Sequence, residues 1–434
     1  MHTRRSLLFC LLSILLLAGS LQAQVISPLP ETRPEFVGFS AERLKRFDEG
    51  MQSMVDNKQL SGIVTLAARH GRIIYQKAYG LRDFADAKPM EKDTIFRIYS
   101  MTKPITGVAM MILFEEGKWR PSDPIAKYIP EFADLKVYAG QDADGKLRLE
   151  APTHAPTMGE LMSHTAGFTY GYFGDTPVDK MYQKDNPLQA GSLSEFIKKL
   201  AALPLVYQPG EGWIYSVGVD VQGYLVEKLS GKPLPEFLRD RIFAPLGMVD
   251  TGFFIPEHKM SRLATVYTTD SKNPALTAVP HDAGVSKAPE LPSGGGGLYS
   301  TAMDYMRFAQ MLLNGGQLSG ARILSPGSVQ LMRSNHLPER LMVGKYGIGL
   351  YTMQEGLGFG YDFAVFEDPV KIGSTAGKGT YLWDGVAGTW FWIDPTNDIV
   401  FIGMIQRMMT APGAPNMEDL SRALLYQALV DPKK

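Results

Sequence analysis

The chain predicts an α+β protein, an α/β sandwich: a central antiparallel sheet assembled from its two ends, flanked by helices, with a mostly helical insertion between them. Three observations carry this. β-rich runs cluster before residue 100, in "GIVTLAARHGRIIYQKAYG", and again near the C-terminus, in "GTYLWDG", "GTWFWIDP" and "DIVFIGMIQ". The stretch from about 100 to 340 reads instead as helices and long loops. Neither strand group is large enough to stand alone as a sheet, so pairing the two is the economical solution. The expected division is a sheet region of about 36–99 and 340–434 and a helical region of about 100–339, within one domain over 24–434. A cleft between the two parts is the natural place for a site.

The elements follow in order. "MHTRRSLLFCLLSILLLAGSLQAQ" sets two arginines before an apolar stretch from Leu7 to Ala18, and small residues lead to Ala23. This reads as an export signal over 1–23, too short for a comfortable membrane span, and it predicts a periplasmic or secreted product. Cys10 is the single cysteine and lies inside that signal, so the mature chain is expected to carry neither disulfides nor thiolate chemistry. Residues 26–36 form a Pro-rich lead-in. Leu44, Phe47, Met51 and Met54 then recur at three- and four-residue spacings behind Ser40, an amphipathic helix with its cap. His70-Gly71-Arg72 between two β-rich runs signals a hairpin. Helices are expected at 103–116, 193–202, 217–230 and 302–314, and a closing helix in "EDLSRALLYQALV" is expected to bury Leu420, Leu424 and Leu425.

Composition excludes several function classes. A formal net charge of -1 gives no electrostatic case for nucleic acid or an anionic membrane surface. No second apolar stretch is long enough to span a bilayer. The seven histidines show no metal-ligand spacing, so neither a metal nor a cofactor is expected. Gly294 to Gly297 are followed by no G-K-[ST], and close backbone approach beside the cleft suits them better than a phosphate cradle. No G-x-S-x-G elbow appears, against an α/β-hydrolase.

"RIYSMTKPITG" (97–107) carries the chemistry. Ser100 follows a β-rich run and precedes a helical one, so it sits at a helix N-terminus with free backbone N–H groups nearby. Lys103, at i+3, projects from the same face. A serine hydroxyl needs a base, and lysine serves as one only where desolvation lowers its pKa. S-x-x-K alone arises by chance roughly once or twice in a chain this long. Tyr215, in "GWIYSVGVDVQGY", supplies a second proton carrier. His164 in "SHTAGF" suits loop ordering better than catalysis, and Asp220 suits a structural role or orientation of the site.

Ser100-Met101-Thr102-Lys103, the Tyr215-Ser216 pair and "WDGVAGTWFWIDP" occur in order, and together they resemble the active-site elements of the serine β-lactamase and penicillin-binding-protein superfamily. "LMSHTAGF", "PLGMVDTGF" and "SGGGGLYSTAMDYMRFAQMLLNGG" resemble its connecting segments, and the likeness covers roughly 36–430. It implies a β-lactamase-like fold and a Ser100 acyl-enzyme, with Lys103 and Tyr215 sharing the base and acid roles. It also implies an oxyanion hole of the Ser100 and Val386 backbone N–H groups. Trp383, Asp384 and Gly385 would bind substrate.

Two departures matter. Y-x-N becomes Tyr215-Ser216-Val217, and the lysine of K-T-G becomes Trp383 in a W-x-G element like that of family VIII esterases, with Asp384 in the middle. Both favour a neutral small-molecule ester over a β-lactam or a D-Ala-D-Ala peptide, which stay as the alternative together with acyl transfer. "KIGSTAG" (371–377) is a rival third motif through Lys371 or Lys378, and would restore the β-lactamase reading. Oligomeric state is not legible.

Overall fold

The computed structural model describes residues 29–269, 275–281, 284–342, 354–408 and 415–433, and the backbone of 347–348. The expected export signal lies outside the described residues. The sheet strands are β1 (Gly62–Arg69), β2 (Arg72–Asp83), β3 (Lys88–Pro89), β4 (Leu357–Phe359), β5 (Ala364–Phe366), β6 (Tyr381–Asp384), β7 (Trp390–Asp394) and β8 (Ile399–Met404). They run in the order β4-β5-β6-β7-β8-β1-β2-β3, each pair antiparallel. The two ends of the chain meet where β1 pairs with β8, Val64 opposite Met404 through Arg69 opposite Ile399. The strand groups complete one another as expected. At the β1–β2 turn His70 and Gly71 both take positive φ, 52° and 68°, the primed geometry that suits a tight hairpin.

Alternation along the strands assigns the two faces. On β7 the Phe391 ring meets Tyr305 of the helix Ala302–Leu313, while Trp390 donates to Ser421 Oγ at 3.2 Å and Trp392 stacks near Tyr426 on the C-terminal helix. One face therefore carries α1 (Ala41–Asp56) and the C-terminal helix Met417–Tyr426; the other carries Ala302–Leu313 and the helical region. Ser40 caps α1 by accepting from Arg43 N, and Leu44, Phe47, Met51 and Met54 are buried. The C-terminal helix differs from expectation. Leu425 is buried with Met417, Ser421 and Tyr426, but Leu420 and Leu424 are half-buried. The inward stripe is rotated because Arg422 lies on it, its guanidinium over the Phe366 and Trp392 rings.

In the helical region α2 (Thr102–Glu115) is buried on all sides from Thr102 to Leu113, the mark of a central helix. It packs on α3 (Gly218–Ser230), and Ala302–Leu313 is α4. The expected spans at 103–116, 193–202, 217–230 and 302–314 are matched by Thr102–Glu115, Leu193–Ala201, Gly218–Ser230 and Ala302–Leu313. The region also holds a hairpin, Val137–Gln141 with Leu147–Glu150.

Candidate active site

The site begins with a turn. Phe96–Arg97 pairs antiparallel with Tyr299–Ser300, and Tyr99 then adopts φ 43°, a left-handed conformation that costs a non-glycine residue about 1 kcal/mol. That turn swings the chain from strand to helix and sets Ser100 in the 3-10 turn Tyr99–Met101, which runs directly into α2. Pro104 falls in the first turn of α2, where its missing N–H removes nothing.

Lys103 is 1% exposed. Its Nζ donates to Ser100 Oγ at 3.1 Å and to the Gly295 carbonyl at 2.6 Å, and lies 4.5 Å from the centre of the Tyr215 ring. Burial pulls the amine down to about 8, against the pull of Asp220, Asp362 and Asp384 in the other direction. Its two hydrogen-bond partners are thus a hydroxyl and a carbonyl.

Tyr215 follows the buried pair Trp213–Ile214 and bonds through its hydroxyl with Ser100; Trp383 Nε1 donates to the same hydroxyl at 3.3 Å. The rings of His164, Tyr170, Phe173 and Trp383 surround it with centroids 5.2, 5.3, 5.8 and 5.2 Å away. Burial raises its pKa, with Ser100 and Trp383 acting the other way, so the phenol keeps its proton near neutrality. His164 orders the loop, its Nδ1 3.1 Å from Ser216 Oγ, and burial drives it neutral.

The end of β6 closes against the serine turn. Gly385 has no room for a side chain: a Cβ there would meet the Ile98 carbonyl oxygen at 2.3 Å and Thr389 Oγ1 at 2.5 Å. Gly385 and Gly388 form a turn through a 2.7 Å bond from Gly388 N to Gly385 O, which leaves the N–H of Val386, at its second position, outside the turn's own bonding. Val386 and Ser100 both line a cavity of about 840 Å³ whose walls include the aromatic side chains of Tyr99, Tyr170, Tyr172, Phe173 and Phe253.

Ser100, Lys103 and Tyr215 are therefore brought together, with Val386 beside them. The expectation for the W-x-G element needs correction. Trp383 lies opposite Phe391 on the cleft face, yet is buried behind Tyr215 and does not line the cavity. Gly385 serves close approach. Asp384 lies opposite Trp390 on the other face, against Glu418 of the C-terminal helix, and is not among the residues that line the cavity. Lys371 and Lys378, of the rival motif, are exposed and line no part of the cavity, and Lys371 pairs with Glu355. The reading of the glycine run as close approach holds, since a Cβ on Gly294 would meet the Val219 carbonyl at 2.7 Å. The Gly295 carbonyl, Tyr170 and Asp362 were missed. A carbonyl leaves no signal in residue type, and neither of the side chains stands in a motif.

The model of the family described as Beta-lactamase matches residues 45–425. The chain belongs to the Beta-lactamase family. Among its relatives, Protein Rv1367c of Mycobacterium tuberculosis is 37% identical over 361 residues, covering 82% of this chain and 88% of that protein. Esterase EstB of Burkholderia gladioli is 32% identical over 377 residues, covering 81% and 88%. The solved structure of EstCE1, described as a hydrolase with promiscuous acyltransferase activity, superposes with a TM-score of 0.73 at 27% identity, covering 88% of this chain and 98% of that one. Within the Beta-lactamase family the chain is thus a hydrolase of the serine β-lactamase and penicillin-binding-protein superfamily, with esterases among its relatives.

Proposed function

We propose that the protein is an exported serine hydrolase that cleaves carboxylic esters through a covalent acyl-enzyme on Ser100. The observation that carries this is the buried Lys103 amine, 3.1 Å from Ser100 Oγ and drawn down to about 8. Ser100 Oγ attacks the ester carbonyl carbon and its proton passes to neutral Lys103. The carbonyl oxygen becomes an oxyanion held by the Ser100 and Val386 N–H groups; one such donor is typically worth about two to three orders of magnitude in turnover. The C–O bond to the leaving group then breaks, the departing oxygen takes the Tyr215 proton, and Lys103 restores it. Water repeats the sequence in reverse and frees Ser100. Tyr215 acts as the acid because burial holds its proton, and Lys103 acts as the base because burial loosens its own.

A neutral ester is favoured because the sequence carries Trp383 where a K-T-G motif would offer a cation, and because most of the cavity wall is apolar, Arg97 and Lys287 being the cations among its lining residues. Acyl transfer is the second reading, favoured by the described activity of EstCE1 and needing only an alcohol in place of the second water. The test sets a short-chain nitrophenyl ester beside a chromogenic cephalosporin. Ester turnover with acylation of Ser100 seen by intact-protein mass is expected; fast cephalosporin turnover without ester turnover would overturn the substrate class.

A further inference from the structure

The Tyr215-Ser216-Val217 sequence lacks the asparagine that would hold the active lysine, yet Lys103 is held. Three residues beyond Val217, on the first turn of α3, Asp220 is wholly buried. Its Oδ1 accepts from Ser293 Oγ at 2.5 Å and from Gly295 N at 3.1 Å. The carbonyl of Gly295, in its other peptide group, accepts from Lys103 Nζ at 2.6 Å. Oδ2 of Asp220 has no hydrogen-bond partner among the described residues, and a Cβ on Gly295 would lie only 2.6 Å from it. A buried carboxylate oxygen left unpaired is costly and calls for an explanation.

We propose that Asp220 is the positioning residue that replaces the missing asparagine: it grips the Gly295 peptide so that its carbonyl fixes the Lys103 amine, and its free oxygen sets a negative charge behind that amine. The inference rests on the reading of Lys103 as the base. Two roles of the asparagine position are thereby separated. The lysine-holding role passes to Asp220 through backbone, while Val217 is buried and apolar and is not among the residues that line the cavity, so no substrate-facing role passes to it. The remaining titratable groups that face Lys103 are Asp362 from the loop before β5, Tyr170, Tyr215 and His164, while Asp384 of β6 acts on it only as a charge from the other face of the sheet. Among these Asp362 accepts from Gln222 Nε2 at 3.1 Å, and burial drives its carboxyl strongly toward the protonated form. Burial raises the Asp220 carboxyl as well, but there the hydrogen bonds from Ser293 and Gly295 and the nearby charge of Lys103 oppose it.

The experiment compares kcat/KM for a nitrophenyl ester from pH 6 to 10 in the wild type, Asp220→Asn and Asp220→Ala. Asparagine keeps the size and still accepts from Ser293 and Gly295, but removes the charge that holds a proton on Lys103. The inflection of Asp220→Asn is expected to fall by about half a unit to one unit. Its rate at pH 6.5, relative to its own plateau, should rise three- to tenfold over the wild type. Alanine also frees the Gly295 peptide and is expected to lower the plateau kcat by about ten- to a hundredfold with KM little changed. A folded Asp220→Asn enzyme whose inflection coincides with that of the wild type would overturn the proposal. If Asp220→Asn does not fold, Ser293→Ala carries the test: loss of one grip on Asp220 should lower the plateau several-fold, and a full plateau would overturn the proposal. A wild type silent on every ester would instead remove the underlying esterase reading.

Discussion

Two lysines of this chain sit in motifs that invite the same chemistry, and their surroundings make them opposites. Lys103, on the first turn of α2, is sealed under aromatic rings with a hydroxyl and a carbonyl for partners, and burial draws its amine down to about 8. Lys371, in the short helix Pro369–Ile372, points into solvent and pairs with Glu355, which pushes its amine up. An amine that must accept a proton near neutrality needs the first environment; the second makes it a permanent cation. The motif supplies only a residue, and the fold decides whether it is a base.

The sharpest way to break this contrast is to remove the proton traffic at the first lysine. Ser100→Ala leaves no nucleophile, and Lys103→Arg puts in its place a guanidinium that cannot release a proton. Each is expected to lower ester kcat/KM by about three orders of magnitude or more while the protein still melts cooperatively. A Lys103→Arg enzyme of ordinary rate would exclude the relay. Tyr215→Phe removes the acid but leaves the base, and a loss of roughly two to four orders of magnitude is expected. Esters with good leaving groups should suffer least, because they depart without a proton. An equal loss across leaving groups of differing pKa, measured side by side, would contradict that role.

The pH profile sharpens the same contrast without a mutation. Lys103 acts when neutral, and acid adds the proton that silences it. With the amine at about 8, kcat/KM should fall close to tenfold per unit below that value and level off above it. A flat profile from pH 6 to 9 would place the working base elsewhere.

How much of this was legible before the coordinates follows the same division between residue and environment. The helix behind Ser40, the His70–Gly71 turn and the meeting of the two strand groups follow from spacing and turn chemistry, which are local and therefore written in the chain. Ser100, Lys103 and Tyr215 were legible as an ordered set. The asymmetry of the W-x-G element was written in the strand period, since neighbours on a strand face opposite ways, but which face held the cleft was not. That depended on Phe391 meeting α4 and Trp390 meeting the C-terminal helix, contacts between segments far apart in the chain. The Gly295 carbonyl was illegible for a plainer reason: every residue has one, and only the fold says which is aimed at Lys103.

The smallest effect belongs to the second lysine, and it is informative because it is small. Were "KIG" a working third motif, Lys371→Ala would strip a substrate anion of its partner and cost tenfold or more in KM for an acidic substrate. Here the side chain is exposed and engaged with Glu355, so the substitution exchanges an exposed, solvent-screened ion pair for water, a small change. Ester kcat/KM should stay within twofold of the wild type and the melting temperature within a few degrees, read by steady-state kinetics and thermal unfolding. The same variant assayed on the chromogenic cephalosporin should show no further loss. A tenfold rise in KM there would bring the 371–377 segment back to the cleft and make the two lysines partners rather than opposites.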